Sequence, residues 1–352
     1  MSLLEEFIAK AKKNPKVIVF PEGEDERILK AAVQAAKEGI VFPLLLGEES
    51  KIAFRAKTLG LKLDGVKVKD PKIECEKEEY IDFYHALRKN RFFSPKMARA
   101  LLRKPLNLGA LMVKYGQARG MVAGAVNLTS SVLKSSMLMV GLNKGIKVPS
   151  SFFIMSTREP KVGERGVLIF ADAAVNPDPT SEQLADIALS TADSAEKLLG
   201  WQPRLALLSF STKRSAAHPL VDKVIKAVKL AKERAPHLLI DGDLQADAAL
   251  IPEVAQKKVR ESKVAGRANV LIFPNLDAAN IAYKLVQYLG SAKAYGPILQ
   301  GFTHPVNDLS RGAKVEDILA LTAITVILAQ EMPFGKRMNS FKRGECNENI
   351  SN

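Results

Sequence analysis

The sequence contains few of the residues that build metal centres, disulfide frameworks and base-stacking surfaces. Its 352 residues include 2 cysteines, 4 histidines and 1 tryptophan, and aromatic residues make up 6% of the chain. Cys75 and Cys346 lie far apart, and neither has a histidine or a second cysteine at ligand spacing. This excludes a disulfide framework and a zinc site of the usual spacing, and a reducing cytoplasm is the expected compartment. The histidines form no HExxH motif and no paired spacing, so we expect no metal site.

Several motifs of common activities are also absent. No run is long and apolar enough to cross a membrane, and the N-terminus has the acidic, amphipathic pattern of a helix rather than a secretory signal. No Gly-x-Gly-x-x-Gly follows a strand and no Gly-x-x-x-x-Gly-Lys-Ser/Thr occurs, so a dinucleotide or P-loop nucleotide site is unsupported. Ser310 lies near His304 and Asp308, but the Gly-x-Ser-x-Gly elbow is missing, which disfavours a serine hydrolase.

The chain is strongly basic, with 52 lysines and arginines against 38 acidic residues and a net charge of +14. Such a surface attracts nucleic acid, membrane headgroups or small polyanions. The lysines are spread through helical segments, and no aromatic–basic alternation resembles a base-stacking platform. We therefore interpret most of the excess as a solubilising coat and expect neither a nucleic-acid nor a membrane partner.

Short apolar runs alternate with longer helical patterns along most of the chain. Strands are predicted at residues 16–20, 41–46, 66–68, 120–126, 151–155, 167–170, 205–210, 237–240, 269–273 and 292–299. Helices are predicted at residues 3–13, 24–39, 76–89, 94–102, 106–115, 130–141, 181–199, 221–234, 246–257, 278–289 and 315–330. The alternation is typical of the α/β class, in which mainly parallel sheets are flanked by helices.

The length of the chain predicts two domains, because 352 residues exceed one ordinary core. The helix at 315–330 has no strand after it and can complete the first sheet layer. We therefore predict a discontinuous first domain of residues 1–150 plus 303–352 and a second domain of residues 151–302. The polar tail at 334–352 is expected to fray.

A turn rich in Pro, Asn, Asp and Gly directly precedes the last predicted helix. It places Ser310, Arg311 and Gly312 at or just before the helix N-terminus, where free N–H groups and the helix dipole favour an anion. The planar guanidinium of Arg311 suits phosphate, and Asp317 in the first turn adds a possible base. Each residue also has a plain interpretation, because Ser310 could cap the helix, Asp317 could complement its dipole and Arg311 could be a surface charge.

A second turn, at residues 127–131, follows a predicted strand and opens a helix. Thr129, Ser130 and the later Lys134 could form a second anion-binding helix start, or the hydroxyls could simply cap the helix. Arg88 alone is typical of a solvated basic face.

Taken together, these segments resemble the phosphate acetyltransferase (phosphotransacetylase) family. The match runs from residue 16 to about residue 329. It includes FPEG at 20–23, FADAAVNPDPT at 170–180, DGDLQADAA at 241–249, GPILQG at 296–301 and PVNDLSRG at 305–312.

The resemblance implies a cleft between two α/β domains and a homodimer, with the second domain as the expected dimerisation domain. It implies the reversible reaction of acetyl phosphate with coenzyme A (CoA) to give acetyl-CoA and phosphate, with CoA as a substrate and no tightly bound cofactor. No extension precedes the match, which implies the short form without a regulatory segment.

The resemblance also implies roles for individual residues. Ser310, Arg311 and Asp317 fall on the family's catalytic positions. Residues expected to bind CoA or substrate are Arg88, Thr129, Ser130, Lys134 and Gly312. The sequence departs from the family where Lys134 replaces an arginine and Ser131 an acid or amide, and smaller departures occur at Asp243, Ala279 and Ala282.

We hypothesise direct attack by the CoA thiolate, with Asp317 taking the thiol proton and Arg311 binding the phosphoryl group. An aspartate in water is a weak base for a thiol, so this role requires Asp317 to be buried, and Arg311 is expected close to it. Acyl transfer through a covalent Ser310 intermediate is the mechanistic alternative. Propanoyl or butyryl transfer, a non-catalytic CoA-binding protein and a basic nucleic-acid-binding protein are the functional alternatives.

Overall fold

The computed structural model of the chain describes residues 2–87, the backbone of Arg88, and residues 94–331. Its strands are β1 (Val17–Phe20), β2 (Phe42–Leu46), β3 (Lys67–Lys69), β4 (Gly120–Ala123), β5 (Ser150–Ser156), β6 (Val167–Ala171), β7 (Arg204–Leu208), β8 (Leu239–Leu244), β9 (Val270–Ile272), β10 (Lys293–Gln300) and β11 (Val306–Asp308). The predicted tail at 334–352, with Cys346, lies outside the described residues.

The helices of the described residues alternate with these strands. They are α1 (Leu3–Lys12), α2 (Glu26–Lys37), α3 (Glu49–Thr58), α4 (Pro71–Glu74), α5 (Glu78–Arg88), α6 (Pro95–Leu102), α7 (Pro105–Tyr115), α8 (Thr129–Met139), α9 (Ser181–Leu199), α10 (Pro219–Arg234), α11 (Ala246–Leu250), α12 (Pro252–Lys258), α13 (Leu276–Tyr288) and α14 (Val315–Gln330). None of them is long and apolar enough to cross a membrane.

The strands form two sheets, which confirms the α/β class. The first sheet has the order β11-β4-β1-β2-β3 and is parallel throughout. The second has the order β10-β5-β6-β9-β7-β8 and is mixed, because β5 runs antiparallel to both β10 and β6. The connection from β5 to β6 contains no helix, and a connection without a crossover favours antiparallel pairing.

The first sheet takes its strands from residues 17–123 and from residues 306–308, whereas the second takes its strands from residues 150–300. The chain therefore leaves the first sheet and returns to it close to the predicted crossing points. The division into domains of residues 1–150 plus 303–352 and residues 151–302 stays a prediction.

Helix α14 joins the two halves of the structure. Most of its residues are buried, and it packs on α1, α2 and β4 from the first half and on α9 and β10 from the second. Its side chains share one hydrophobic cluster with residues of both sheets, including Phe20, Ile154, Ile318 and Ile324. The residues just before α14 are therefore held between the two sheets.

Some predicted elements were wrong in detail. The helix predicted at 246–257 is two short helices, because Pro252 has no N–H to donate and Ile251 before it adopts an extended conformation (φ −106°, ψ 114°). Helices α3 and α4 and strand β11 were not predicted. Strand β11 lies in the stretch that was interpreted as a turn.

Candidate active site

The loop from Leu309 to Lys314 connects β11 to α14 and carries two of the predicted catalytic residues. Strand β11 is fixed by Asn307, whose side chain accepts the Leu299 N–H (2.9 Å) and donates to the Thr325 hydroxyl (2.8 Å). The Leu309 N–H then continues the pairing to Ala123 of β4 (2.7 Å). The next residues, Ser310 to Gly312, are exposed. The loop thus leaves a rigid strand end with its polar side chains accessible.

Ser310 does not cap α14, so that interpretation was wrong. The N-cap position is Lys314, whose N–H donates to the side chain of Asp317 (2.8 Å). The Ser310 hydroxyl instead accepts the N–H of Gly312 (3.3 Å) within the loop. Ser310 therefore lies four residues before the helix cap, further from the helix N-terminus than the sequence indicated.

Arg27, at the start of α2, forms hydrogen bonds to the backbone of this loop. Its guanidinium donates to the carbonyl oxygens of Arg311 (2.7 Å), Ala313 (3.1 Å) and Ala125 (2.8 Å). Asp25, the N-cap of α2, pairs with the same guanidinium at 3.0 and 3.1 Å. One arginine thus ties the Ser310 loop to the turn that follows β4. The sequence signal was slight: Arg27 follows the first strand in a segment similar to the family.

The turn after β4 is organised by Glu22 rather than by a hydroxyl cap. Its carboxylate accepts the backbone N–H groups of Ala125 (2.8 Å), Val126 (3.0 Å) and Asn127 (2.7 Å), and the side-chain amide of Asn127 (2.7 Å). The N-cap of α8 is Leu128, so Thr129 begins the helix and does not cap it. Its hydroxyl donates to Asp308 instead (2.5 Å).

Asp308, the last residue of β11, is the strongly perturbed carboxyl of this site. Its side chain is 1% exposed, and burial raises its pKa to about 7, with the charge of Glu22 adding to the effect and the Thr129 hydroxyl opposing it. Its Oδ1 atom is buried with no hydrogen-bond partner among the described residues. A Cβ on Gly124 would come within 2.2 Å of that atom, so the backbone there must be glycine.

Three adjoining cavities surround these loops. The arginine cavity, about 430 Å³, is lined by Asn127, Thr129, Ser130, Asp308, Ser310 and Arg311, with apolar walls. The aspartate cavity, about 410 Å³, is lined by Ser310, Gly312 and Asp317 among others. The lysine cavity, about 1130 Å³, includes Asn127, Ser131 and Lys134 in its lining. Ser310 borders the first two cavities, and Asn127 borders the first and third.

The rings of Phe153 and Tyr283 form part of the wall shared by the arginine and aspartate cavities. They stack with their centroids 4.2 Å apart and their planes 15° from parallel. Pro297 also lines both cavities. An apolar wall beside a cationic, hydroxyl-lined cavity can accommodate a small group that is apolar at one end and anionic at the other.

The structure brings most of the predicted site residues together, with two corrections. Asp317 is exposed rather than buried, because it lies on the outer side of the first turn of α14. Within the described residues, no ion pair joins it to Arg311, and the two side chains line different cavities. The expected direct contact between the two charges is therefore not observed. The side chain of Arg88 lies outside the described residues.

Comparison with known proteins places this α/β fold in the phosphotransacylase class of enzymes. The model of the family described as phosphate acetyl/butaryl transferase matches residues 2–326, and the chain belongs to that family. The resemblance found in the sequence is thereby confirmed.

Individual relatives agree along nearly the whole chain. A phosphate acetyltransferase of Acetivibrio thermocellus is 47% identical over 330 residues, which cover 94% of this chain and 99% of the relative. A phosphate acetyltransferase of Thermoanaerobacterium thermosaccharolyticum is 48% identical over 331 residues, covering 94% and 100%. The crystal structure of a phosphotransacetylase from Streptococcus pyogenes superposes with a TM-score of 0.88 at 38% identity, covering 94% of this chain and 100% of that one.

Proposed function

We propose that this chain transfers an acetyl group reversibly between phosphate and CoA, with acetyl phosphate and CoA as substrates in one direction. The observation that carries the proposal is the arginine cavity, in which Ser310, Arg311 and the start of α8 meet beside an apolar wall. The family and its named relatives support the same activity.

The phosphoryl group binds in the arginine cavity. Arg311 supplies a guanidinium that suits phosphate oxygens, and Thr129 and Ser130 place the first turn of α8 at the same cavity. A helix N-terminus presents backbone N–H groups and a positive partial charge to an anion. The cavity therefore combines three sources of anion stabilisation.

The acyl group faces the apolar wall of this cavity. Phe153, Tyr283 and Pro297 limit the space in one direction, and Ala173 and Ala174 line it in another. The named relatives favour acetyl as the acyl group, although the family description also includes butyryl transfer. The acyl length that the cavity accepts depends on how far the stacked rings of Phe153 and Tyr283 can move.

CoA enters through the lysine cavity, which is the largest of the three. Lys134 is exposed at this cavity and can pair with a phosphate of the nucleotide. The thiol arm then passes Asn127, which lines both this cavity and the arginine cavity. Arg88 keeps the supporting role that the family resemblance gives it.

The thiolate attacks the acetyl carbonyl carbon directly. A carbon–sulfur bond forms, and the bond between the carbonyl carbon and the bridging phosphate oxygen breaks. The leaving phosphate keeps the bonding electron pair, and Arg311 stabilises its negative charge. The Ser310 hydroxyl, at the border of the arginine and aspartate cavities, hydrogen-bonds the developing oxyanion. Asp317, across that border, is the proposed acceptor of the thiol proton. Because its side chain is exposed, this role requires bound CoA and acetyl phosphate to shield it from water. Neither a metal nor a covalent enzyme intermediate is needed in this scheme.

We also propose a cytoplasmic homodimer that forms through α13. This helix and its C-cap residue Leu289 expose four apolar side chains, Ile281, Leu285, Tyr288 and Leu289, and exposed patches of this kind mark interfaces. The same helix carries Tyr283, which lines the arginine and aspartate cavities, so dimerisation would restrict the motion of that cavity wall. Sedimentation of the wild type and of Leu285→Asp tests the assignment.

The function is tested by following thioester absorbance with CoA and acetyl, propanoyl or butyryl phosphate. Acetyl phosphate should give the highest kcat/KM. A preference for butyryl phosphate would assign the chain to butyryl transfer, and no turnover with any of them would favour a non-catalytic CoA-binding protein. Exchange of labelled phosphate into acetyl phosphate without CoA would support the covalent Ser310 route instead of direct attack.

A further inference from the structure

Asp308 has no role in the scheme above, yet neighbouring residues fix its position in the lining of the arginine cavity. It lines that cavity at the end of β11, and its Oδ2 atom lies 2.5 Å from the hydroxyl oxygen of Thr129, within hydrogen-bond distance. Its Oδ1 atom packs against the backbone of Gly124 and has no hydrogen-bond partner among the described residues. An ionised carboxylate with one unpaired, buried oxygen is costly, whereas the neutral acid tolerates this environment better.

Two neighbouring buried carboxyls have opposite surroundings. Glu22 accepts four N–H groups, which suits a carboxylate. Asp308 receives a single hydroxyl, and burial together with the nearby charge of Glu22 raises its pKa to about 7. Burial with a single hydrogen-bond partner therefore favours the neutral form of Asp308.

The protonation state of Asp308 decides what Thr129 offers to the cavity. A threonine hydroxyl has one hydrogen and two lone pairs. When Asp308 is ionised, that hydrogen points to Asp308 and Thr129 presents only lone pairs to an anion. When Asp308 is protonated, its own O–H donates to the Thr129 oxygen, and the hydroxyl hydrogen is free to point into the cavity.

We propose that neutral Asp308 is a positioning residue that directs the Thr129 hydroxyl hydrogen toward the phosphoryl group bound in the arginine cavity. When Asp308 ionises, the Thr129 hydroxyl no longer donates to the anion, and the carboxylate adds a negative charge next to it. Glu22 is the charged neighbour whose field acts on Asp308, and Arg311 lines the same cavity. This role deepens the proposed function and rests on it for the identity of the anion.

Binding of sulfate, measured by calorimetry from pH 6 to pH 9, tests this role without turnover. Sulfate mimics the phosphoryl group and keeps the same charge over that range. We expect the sulfate Kd of the wild type to rise about tenfold as pH climbs through 7, the loss expected when one charge-assisted hydrogen bond is withdrawn. In Asp308→Asn the amide donates to Thr129 at every pH, so its Kd should stay flat.

Two further variants keep the test decisive if Asp308→Asn folds poorly. Thr129→Val lacks the hydroxyl and should bind sulfate weakly even at pH 6, whereas Thr129→Ser should retain the pH dependence of the wild type. A pH dependence in Asp308→Asn equal to that of the wild type, or tight binding by Thr129→Val at pH 6, would overturn the role of Asp308. Absence of sulfate binding by the wild type would overturn it as well.

Turnover separates this inference from the proposed function. In the wild type, KM for acetyl phosphate at saturating CoA should follow the sulfate Kd. If the wild type shows the expected sulfate binding but no acetyl transfer, the proposed reaction fails while the positioning role of Asp308 stands. If it transfers acetyl groups but its sulfate binding is independent of pH, only the role of Asp308 fails.

Discussion

Replacing Asp308 with asparagine should make the protein more stable at neutral and alkaline pH. The folded-state pKa of Asp308 is about 7, against 3.8 for a free aspartate, and the side chain is 1% exposed. Between these two values the folded state binds a proton that the unfolded state has released. The free energy of unfolding of the wild type therefore falls as pH rises through this window, whereas Asp308→Asn has no such proton.

The magnitude follows from the size of the shift. A difference of about 3 pKa units at about 1.4 kcal/mol per unit corresponds to about 4 kcal/mol across the full window. About half of this effect, about 2 kcal/mol, falls between pH 5 and pH 7, because the slope cannot exceed about 1.4 kcal/mol per pH unit, and the curve is nearly flat above pH 8. Relative to the wild type, Asp308→Asn should gain this much over the same interval.

Urea unfolding followed by circular dichroism at pH 5, 6, 7 and 8 measures this difference. The exposed first-turn acid Asp277 of α13 provides the control, and Asp277→Asn should follow the wild-type curve. If the curves of Asp308→Asn and the wild type run parallel from pH 5 to pH 8, then Asp308 is ionised throughout and its assignment as a neutral acid is wrong.

Three substitutions test the other parts of the site. Arg27→Gln removes three hydrogen bonds to backbone carbonyls and should lower kcat at least tenfold, since each charge-assisted hydrogen bond contributes about 1.5–3 kcal/mol. An unchanged kcat would show that the Ser310 loop keeps its conformation without Arg27. Lys134→Gln should raise KM for CoA about tenfold and leave KM for acetyl phosphate unchanged, and Lys134→Arg should restore CoA binding. A change in KM for acetyl phosphate instead would show that the lysine cavity does not bind CoA. Asp317→Asn should reduce kcat about 100-fold if Asp317 is the base, whereas Glu316→Gln in the same exposed turn should not; equal effects of the two would remove Asp317 from proton transfer.

The sequence predicted most of the architecture because buried parallel strands have a simple signature. Strands such as β1 and β9 are uninterrupted apolar runs between helices, and the helices show apolar periodicity. Strand β11 escaped prediction because it is three residues long and ends in Asn307 and Asp308. The partners that its polar side chains do have are visible only in three dimensions.

The site was predicted in part, and the errors share one cause. The Ser310–Arg311 turn could be found because it is local and polar, whereas the contributions of Glu22, Arg27 and Asp308 depend on long-range contacts. Thr129 reaches Asp308 across 179 positions, and Arg27 reaches the Arg311 carbonyl across 284. Burial was also expected at Asp317, which is exposed, whereas Asp308 nine residues earlier is buried and no burial was predicted for it.

The rate of acetyl-CoA formation from acetyl phosphate and CoA in Arg311→Gln tests the central claim most directly. Arg158, exposed at a site that borders none of the three cavities, supplies the control variant Arg158→Gln. We predict rapid turnover by the wild type and by Arg158→Gln, and a loss of about 100-fold or more in kcat/KM for Arg311→Gln, as expected when a charge-stabilising donor is removed. Equal kcat/KM in all three proteins would contradict the assignment of the phosphoryl group to the arginine cavity.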